Sequence, residues 1–256
     1  MLQPRVIPCL LLHNNGLVKT VKFEKPRYIG DPINAVKIFN EKEVDELMIF
    51  DIDATVAQRE SRYEQVEDIV SEAFMPVCYG GGVVSIEQMR QLFALGVEKV
   101  SISAAAVENP LLIEEAVKQF GSQSIVVTLD VKKTLLSRKY HVVTHNATRD
   151  TGQDPLEMAK RMETLGAGEI AVNNIDQDGM MQGYDINLIR QISNAINIPV
   201  VALGGAGSLI DIRNVVLNGG ASAASAGSLF VFYGKHRAVL INYPSQEELH
   251  QLFKEN

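Results

Sequence analysis

The sequence predicts an α/β fold, a (β/α)8 TIM barrel assembled from two half-barrel repeats. Three observations carry that prediction. Eight short β-branched runs alternate with longer segments of helical period along 256 residues. Landmarks of the first half return about 125 residues later in the second. No G-x-G-x-x-G follows the first strand, which argues against the alternative, an open doubly wound sheet.

The elements follow in order. A first strand is expected at Val6–Leu12, then a long mouth loop over Asn14–Gly30 and a helix over Pro32–Phe39. Strands at Leu47–Asp51, Met75–Cys78 and Val97–Ile102 complete the first half, with helices at Tyr63–Ala73, Ile86–Leu95 and Pro110–Phe120. The second half repeats the scheme, with strands at Ile125–Asp130, Glu169–Asn173, Pro199–Leu203 and Ala221–Ala226. Its helices are expected at Pro155–Leu165, Ile186–Ala195 and Leu209–Leu217. Each helical segment carries apolar residues three and four apart, which places them on one face. Phe50-Asp51-Ile52-Asp53-Ala54 resembles Asn174-Ile175-Asp176-Gln177-Asp178-Gly179, and Gly80-Gly81-Gly82 resembles Gly204-Gly205-Ala206-Gly207. No linker or low-complexity stretch divides the halves. The expectation is one domain over residues 1–256, with half-barrels at about 1–122 and 123–256.

Composition narrows the function. Hydrophobic residues are 46% of the chain and charged residues 21%, so a large core forms and disorder is excluded. A net charge of −7 argues against broad nucleic-acid or membrane binding, while leaving room for local basic pockets. Cys9 and Cys78 lie in apolar runs and read as reduced core thiols. No basic-then-apolar leader opens the sequence and no apolar run is long enough to span a bilayer, so a soluble cytoplasmic protein is expected. None of the five histidines has metal-ligand spacing; His13, His141 and His145 read as solvated loop residues, and no metal or cofactor is expected.

Chemistry in a barrel of this type sits at the C-terminal ends of the strands. Two glycine-rich turns fall there, Gly80–Gly82 after strand 3 and Gly204–Gly207 after strand 7. Glycine lets backbone N–H groups approach an anion closely. Gly227-Ser228 after strand 8 completes the second cup, and Ser103 after strand 4 is its weaker counterpart in the first. Two cups across one mouth suit a small molecule with a phosphate at each end; tight turns with no ligand are the alternative. A carboxylate set, Asp51, Asp130, Asp176 and Asp178, lies at the same ends. Asp130 closes a hydrophobic strand, so it is expected to be desolvated and suited to proton transfer, or else to cap its loop. Asp51 either orients a lysine or caps the next turn, and Asp178-Gly179 is either a substrate contact or a loop turn. Lys19, in the long mouth segment, either meets a phosphate or is solvated. Leu11 occupies the place in the first half where the repeat puts Asp130 in the second.

At the opposite end Arg5, Glu46, Lys99 and Glu169 stand near the starts of strands 1, 2, 4 and 6. Charges entering a barrel core must pair. Two cations and two anions form a neutral ring, read as a stability layer or as a gate across an axial channel.

Taken together these residues resemble the cyclase subunit of imidazole glycerol phosphate synthase. The resemblance covers essentially the whole chain. It rests on Arg5 to Leu10, Val18-Lys19, Gly30-Asp31-Pro32, Asp45-Glu46-Leu47, Gly80–Gly82, Lys99–Ile102, the Val-Glu-Asn-Pro run ending at Pro110, Asp176–Gly179 with Gly183-Tyr184-Asp185, and Gly204–Gly207. It implies a barrel that pairs, as a heterodimer, with a glutaminase docked on its N-terminal face. Ammonia would cross the barrel and react with a bis-phosphate ribulosyl substrate, a lyase reaction of histidine biosynthesis. Carried over by position, Asp130 matches the second catalytic aspartate, and Lys19 and Asp51 match active-site residues. Gly82 matches one phosphate cup, and Gly179, Gly205 and Gly227-Ser228 match the other. Arg5, Glu46, Lys99 and Glu169 match an ammonia gate.

The departures are concentrated in the mouth. Leu11 replaces the first catalytic aspartate, Ser103-Ala104 an Asn-Thr pair, Asn173-Asn174 a Thr-Ser pair, and Leu203 a serine. Leucine neither takes nor gives a proton. The pattern resembles a divergent branch of the family found with surface-polysaccharide genes, in which the barrel conducts ammonia to a separate sugar amidotransferase. Three readings therefore compete: a working cyclase, a cyclase-impaired ammonia conduit, and a scaffold that only activates the glutaminase.

Overall fold

A computed structural model describes residues 4–134 and 138–254. The expectation about a leader falls partly on residues Met1–Gln3, which lie outside the described residues. Eight parallel strands close a barrel: β1 (Arg5–His13), β2 (Leu47–Asp51), β3 (Val77–Gly80), β4 (Lys99–Ile102), β5 (Ile125–Lys133), β6 (Glu169–Asn174), β7 (Val200–Leu203) and β8 (Ala223–Ala226). Closure comes from β8 pairing with β1, Arg5 opposite Ala223 and Pro8 opposite Ala226. Both faces of these strands are covered, so their sequences are near-continuous apolar runs rather than alternations.

The helices begin where side chains cap them. Asp31 accepts from the Asn34 amide at 2.9 Å and Pro32 follows, which starts the helix Pro32–Glu41. Asp154 and Pro155 repeat the device for the helix Pro155–Thr164. Ser85 and Gln88 form a reciprocal capping box for the helix Ile86–Ala94. The inward face of the helix Ile186–Ser193 carries Leu188, Ile189 and Ile192, all buried. Such faces pack against the outward strand residues as the main core. A second, smaller cluster lies inside the barrel: Ile7, Cys9, Met48, Cys78, Val126, Ala171, Val201, Leu203 and Ala223, with Leu11 and Phe50 against it. Cys9 and Cys78 are free, buried thiols.

Four sequence expectations are corrected. The third strand is Val77–Gly80, two residues later than expected, because Pro76 has no N–H to enter a ladder. Gly80 is therefore the last strand residue and the glycine turn begins at Gly81. Second, β5 does not end at Asp130: it continues to Lys133, held by an antiparallel strand, Tyr140–Thr144, in which Val143 faces Asp130. Third, Asn14–Gly30 is not an open loop. It folds into a hairpin, Gly16–Val21 with Glu24–Gly30, and the first of these strands pairs with β1. Its two-residue turn, Lys22-Phe23, has φ of 54° and 64°, left-handed backbone that bulky side chains seldom adopt. The Asp178 carbonyl accepts from the Lys22 amide at 3.0 Å and holds the turn there. Fourth, the helices Ala104–Glu108, Ser228–Val231 and Gln246–Phe253 were not anticipated. Among the described residues no helix is long and apolar enough to cross a membrane.

Candidate functional site

The C-terminal ends of the strands surround a cavity of about 530 Å³. Its walls include Leu11, Lys19, Asp51, Gly82, Ser103, Asp130, Asp178, Gly179, Gly205, Gly227 and Ser228. All of these mouth residues therefore share one space. The turns after β3 and β4 lie four strands from those after β7 and β8, so the two glycine groups face each other across the opening.

Among the described residues Asp130 caps no loop. Its Oδ1 accepts from Asn173 Nδ2 at 2.9 Å, and Ser103 Oγ stands 3.4 Å from its Oδ2. The carboxyl faces the cavity yet is enclosed by protein, and this desolvation pushes its pKa up to about 6, against the pull of the Asn173 and Ser103 bonds. A carboxylate tuned toward neutrality is suited to exchange protons near physiological pH. Leu11 lines the same cavity from β1, and its ladder partner on β2 is Phe50.

Lys19 is buried rather than solvated. It stands on the first hairpin strand and its Nζ donates to the Cys9 carbonyl at 2.5 Å. Burial lowers its pKa, opposed by the neighbouring Cys9 and Asp178. A Cβ at Gly227 would collide with Lys19 Nζ, so glycine there makes the room that Lys19 fills. Asp178 ties the hairpin to the barrel: its Oδ2 accepts from Thr20 Oγ1 at 2.9 Å. Burial raises its pKa. Gly179 follows with φ 68°, and a Cβ there would strike the Thr20 carbonyl oxygen. The Asp178-Gly179 pair therefore fixes the Lys19 strand over the cavity.

Among the described residues Asp51 orients no lysine. Its Oδ1 accepts from the amides of Asp53 at 3.0 Å and Ala54 at 3.2 Å, so it caps the following turn, and Arg59 pairs with it at 2.8 Å. Arg59 lines the cavity beside Gly82 and was not anticipated, because nothing in its polar neighbourhood marks it. His145 and Asn146 were missed too. The hairpin after β5 carries them into the cavity wall, where Asn146 Nδ2 donates to the Ile52 carbonyl at 2.8 Å. His145 is thus a half-buried residue of the cavity wall. His13 is half-buried against Asp53 at 2.7 Å, and His141 pairs with Asp150 at 3.0 Å. Asp176 does not line the cavity; it accepts from the Lys133 amide at 2.9 Å.

At the other end the four charged residues meet. Arg5 binds both Glu46 and Glu169, while Lys99 Nζ lies 2.8 Å from Glu46 and 3.3 Å from Glu169. The ring is neutral, with both carboxylates buried and both cations partly open to the face. Above it the barrel interior is apolar, formed by Ile7, Met48, Cys78, Val126, Ala171, Val201 and Ala223. Above that comes a hydroxyl pair, Ser101 with Thr128 at 2.6 Å, on the cavity floor. From base to mouth the axis therefore runs through charge, an apolar layer, hydroxyls and a carboxylate.

Comparison with known proteins adds an independent line. Residues 5–237 match the family described as histidine biosynthesis protein. A Leptospira borgpetersenii protein provisionally named imidazole glycerol phosphate synthase subunit HisF is 49% identical over 99% of this chain and 100% of its own length. A Pseudomonas aeruginosa protein with the same provisional name, numbered hisF2, is 50% identical over 97% of this chain and 99% of its own. A Vibrio vulnificus protein, numbered hisF3, is 51% identical over 97% of this chain and 95% of its own.

Proposed function

Because the chain belongs to the histidine biosynthesis protein family, alongside its HisF subunits, we propose that it is the synthase subunit of a glutamine amidotransferase. A glutaminase docks on the N-terminal face and releases ammonia at the charged ring. The ammonia crosses the barrel and reaches a phosphorylated compound in the mouth. The observation that carries this reading is the stack along the axis: a neutral four-charge ring, an apolar layer and a polar cavity. Ammonia is neutral and passes an apolar layer with little loss, whereas ammonium would first have to shed its hydration at a cost of about several kcal/mol. For ammonia to enter, one cation–carboxylate contact of the ring opens. Lys99 holds both carboxylates through one ammonium group, with the longer contact at 3.3 Å to Glu169, and moves more easily than Arg5, whose guanidinium grips them with two separate nitrogens. In the mouth the two glycine groups take the phosphates of a bis-phosphate ribulosyl compound, and Asp130 moves protons at the ring-closing carbons.

Leu11 supports a second form of the same reading. With no carboxylate at that position, cyclisation is weakened, and the barrel serves mainly to hand nitrogen to a separate acceptor enzyme. The numbered names hisF2 and hisF3 of two relatives fit a family in which extra copies have diverged.

The test uses purified chain with the ribulosyl bisphosphate. Turnover is measured with ammonium salt, then with a glutaminase and glutamine. In Lys99→Ala the glutamine-dependent rate is expected to change while the ammonia-dependent rate holds. Equal effects on both would remove the gate. Ammonia-dependent turnover equal to that of an ordinary cyclase would remove the conduit form.

A further inference from the structure

The four-charge ring is held in two different ways. Lys99 stands opposite Cys78 in the β3–β4 ladder and Glu169 opposite Val126 in the β5–β6 ladder, so backbone pairing fixes both. Arg5 and Glu46 lie below the ladder that joins their own strands: β1 and β2 begin to pair only at Cys9 opposite Met48. In the gap beneath, the N–H and C=O of the fully buried Val6 are met by side chains instead of a strand. Asp45 Oδ2 accepts from the Val6 amide at 3.1 Å, and the Tyr243 hydroxyl donates to the Val6 carbonyl at 2.8 Å. Both bonds are needed there, because a buried backbone group without a partner is destabilising. Val6 is the neighbour of Arg5, and Asp45 is the neighbour of Glu46. The two side chains therefore tie the strand ends that carry half of the ring.

Tyr243 reaches this gap from the far end of the chain, beyond residue 237 where the family match stops. The backbone leaves the mouth after Val239 and returns along the barrel, the Leu240 amide bonding the Val231 carbonyl and the Asn242 amide the Phe230 carbonyl, each at 2.9 Å. The Tyr243 ring then packs against Phe230, with centroids 5.1 Å apart. The helix that follows, Gln246–Phe253, is anchored on both sides. Gln246 Nε2 donates to the Glu43 carbonyl at 2.7 Å, and Arg213 Nε donates to the Leu252 carbonyl at 3.0 Å. Burial, and then the charge of Asp45, raise the pKa of the Tyr243 phenol, so it stays a protonated donor.

We propose that Tyr243 is a positioning residue of the gate: it fixes the Arg5–Glu46 side of the ring, so that opening is confined to Lys99. The inference rests on the ammonia gate proposed above and names what keeps its other side shut. Arg5 binds both carboxylates, so a swing of the β1 end would release both at once. The unpaired charges would draw water into the entrance. Ammonia that meets water there takes a proton and is lost to solvent. Lys99 and Glu169 need no such clamp, because their strands are already paired at that level.

The experiment compares Tyr243→Phe, which removes only the hydroxyl, with Ser193→Ala, which removes a hydroxyl bond to the Gly219 carbonyl on the outside of the barrel. Hydrogen exchange is followed by NMR on the full chain. In Tyr243→Phe the Val6 amide and the Arg5 Nε–H are expected to exchange about three- to tenfold faster, the effect of one buried hydrogen bond, while the Val100 amide beside Lys99 keeps its rate. In the complex with the glutaminase, product formed per glutamine hydrolysed is expected to fall, and by more than product formed from ammonium salt. Ser193→Ala is expected to change none of these. Unchanged exchange at Val6 and Arg5 would overturn the proposal, as would equal loss of protection at Val6 and Val100, the mark of general destabilisation. So would the same response in Ser193→Ala, or an unchanged ratio of product to glutamine hydrolysed. If turnover is too low for that ratio, the exchange rates decide. If Tyr243→Phe does not fold, the unaltered chain decides: a Val6 amide as protected as that of Val100 upholds the clamp, and one in free exchange removes it. The gate is judged separately by the Lys99→Ala rate split. A split with Val6 and Arg5 unmoved in Tyr243→Phe ends this inference alone, and faster exchange there without a split ends the gate and leaves Tyr243 as a clamp on β1.

Discussion

Asp130→Asn is expected to lower ammonia-dependent turnover of the ribulosyl bisphosphate by about 10²–10⁴-fold, the usual worth of a positioned acid or base. The substitution keeps the shape of the side chain and leaves a polar partner for Asn173, so the loss isolates proton transfer from packing. Stability is expected to move the other way. Burial holds the folded-state pKa of Asp130 at about 6, above the roughly 3.9 of an unfolded aspartate. The folded chain therefore binds this proton more tightly than the unfolded chain between about pH 4 and pH 6. Stability falls as pH rises through that window and levels off above it. A pKa raised this far sets a ceiling of roughly 3 kcal/mol, and contact with the open cavity reduces it to about 1–2 kcal/mol. At pH 7.5 Asp130→Asn should melt a few degrees higher than the unaltered chain, and the gain should vanish near pH 4. Thermal melts across this range together with steady-state rates provide the check. A variant that is equally active, or less stable at pH 7.5, would mean that Asp130 is an ordinary structural carboxylate.

The sequence reveals the fold and hides part of the site for one physical reason. Barrel strands and their helices are set by local pattern: apolar runs buried on both faces, and helices that start at Asp31-Pro32, Ser85 or Asp154-Pro155. The charged ring is equally legible, because Arg5, Lys99 and Glu169 open their strands and Glu46 directly precedes one, so all four side chains start at the same level. The mouth depends instead on how long segments fold back. The Lys22-Phe23 turn lacks the glycine or asparagine that marks a tight hairpin, so the strand carrying Lys19 reads as loop and its burial cannot be foreseen. Arg59 meets Asp51, and His145 and Asn146 reach the cavity, only through turns that no spacing rule specifies. Asn173 is visible in the sequence merely as a departure from a resemblance. That it leaves, among the described residues, an unmet acceptor beside Asp130 is a property of the closed barrel.

Leu11→Asp is expected to raise weak ammonia-dependent cyclisation, with an upper limit of about 10²–10⁴-fold if a second proton-transfer group is all that is missing. The backbone is already in place: Leu11 pairs with Val18 on one side and Phe50 on the other, and its side chain faces the cavity. An aspartate there would complete an acid–base pair across the mouth with Asp130. The new carboxylate would have costs. Its neighbours include Phe50 and Leu203 in an apolar cluster, and Asp130 and Asp178 already place negative charge on the same cavity. Desolvation and like charge both favour its protonated form, so the gain should be larger toward higher pH, where it ionises, and the fold should lose about 1–3 kcal/mol. Lys19, buried nearby on the hairpin, offsets part of that charge. Rate and melting temperature are measured on the same preparations of Leu11→Asp and of Leu11→Asn, which supplies polarity without the proton. A rise confined to the aspartate variant would identify the leucine as the lesion in cyclisation. A folded Leu11→Asp with unchanged turnover would place the barrier elsewhere in the mouth, at Ser103, Asn173 or Leu203, and would make nitrogen delivery, rather than ring closure, the chemistry this cavity is shaped to support.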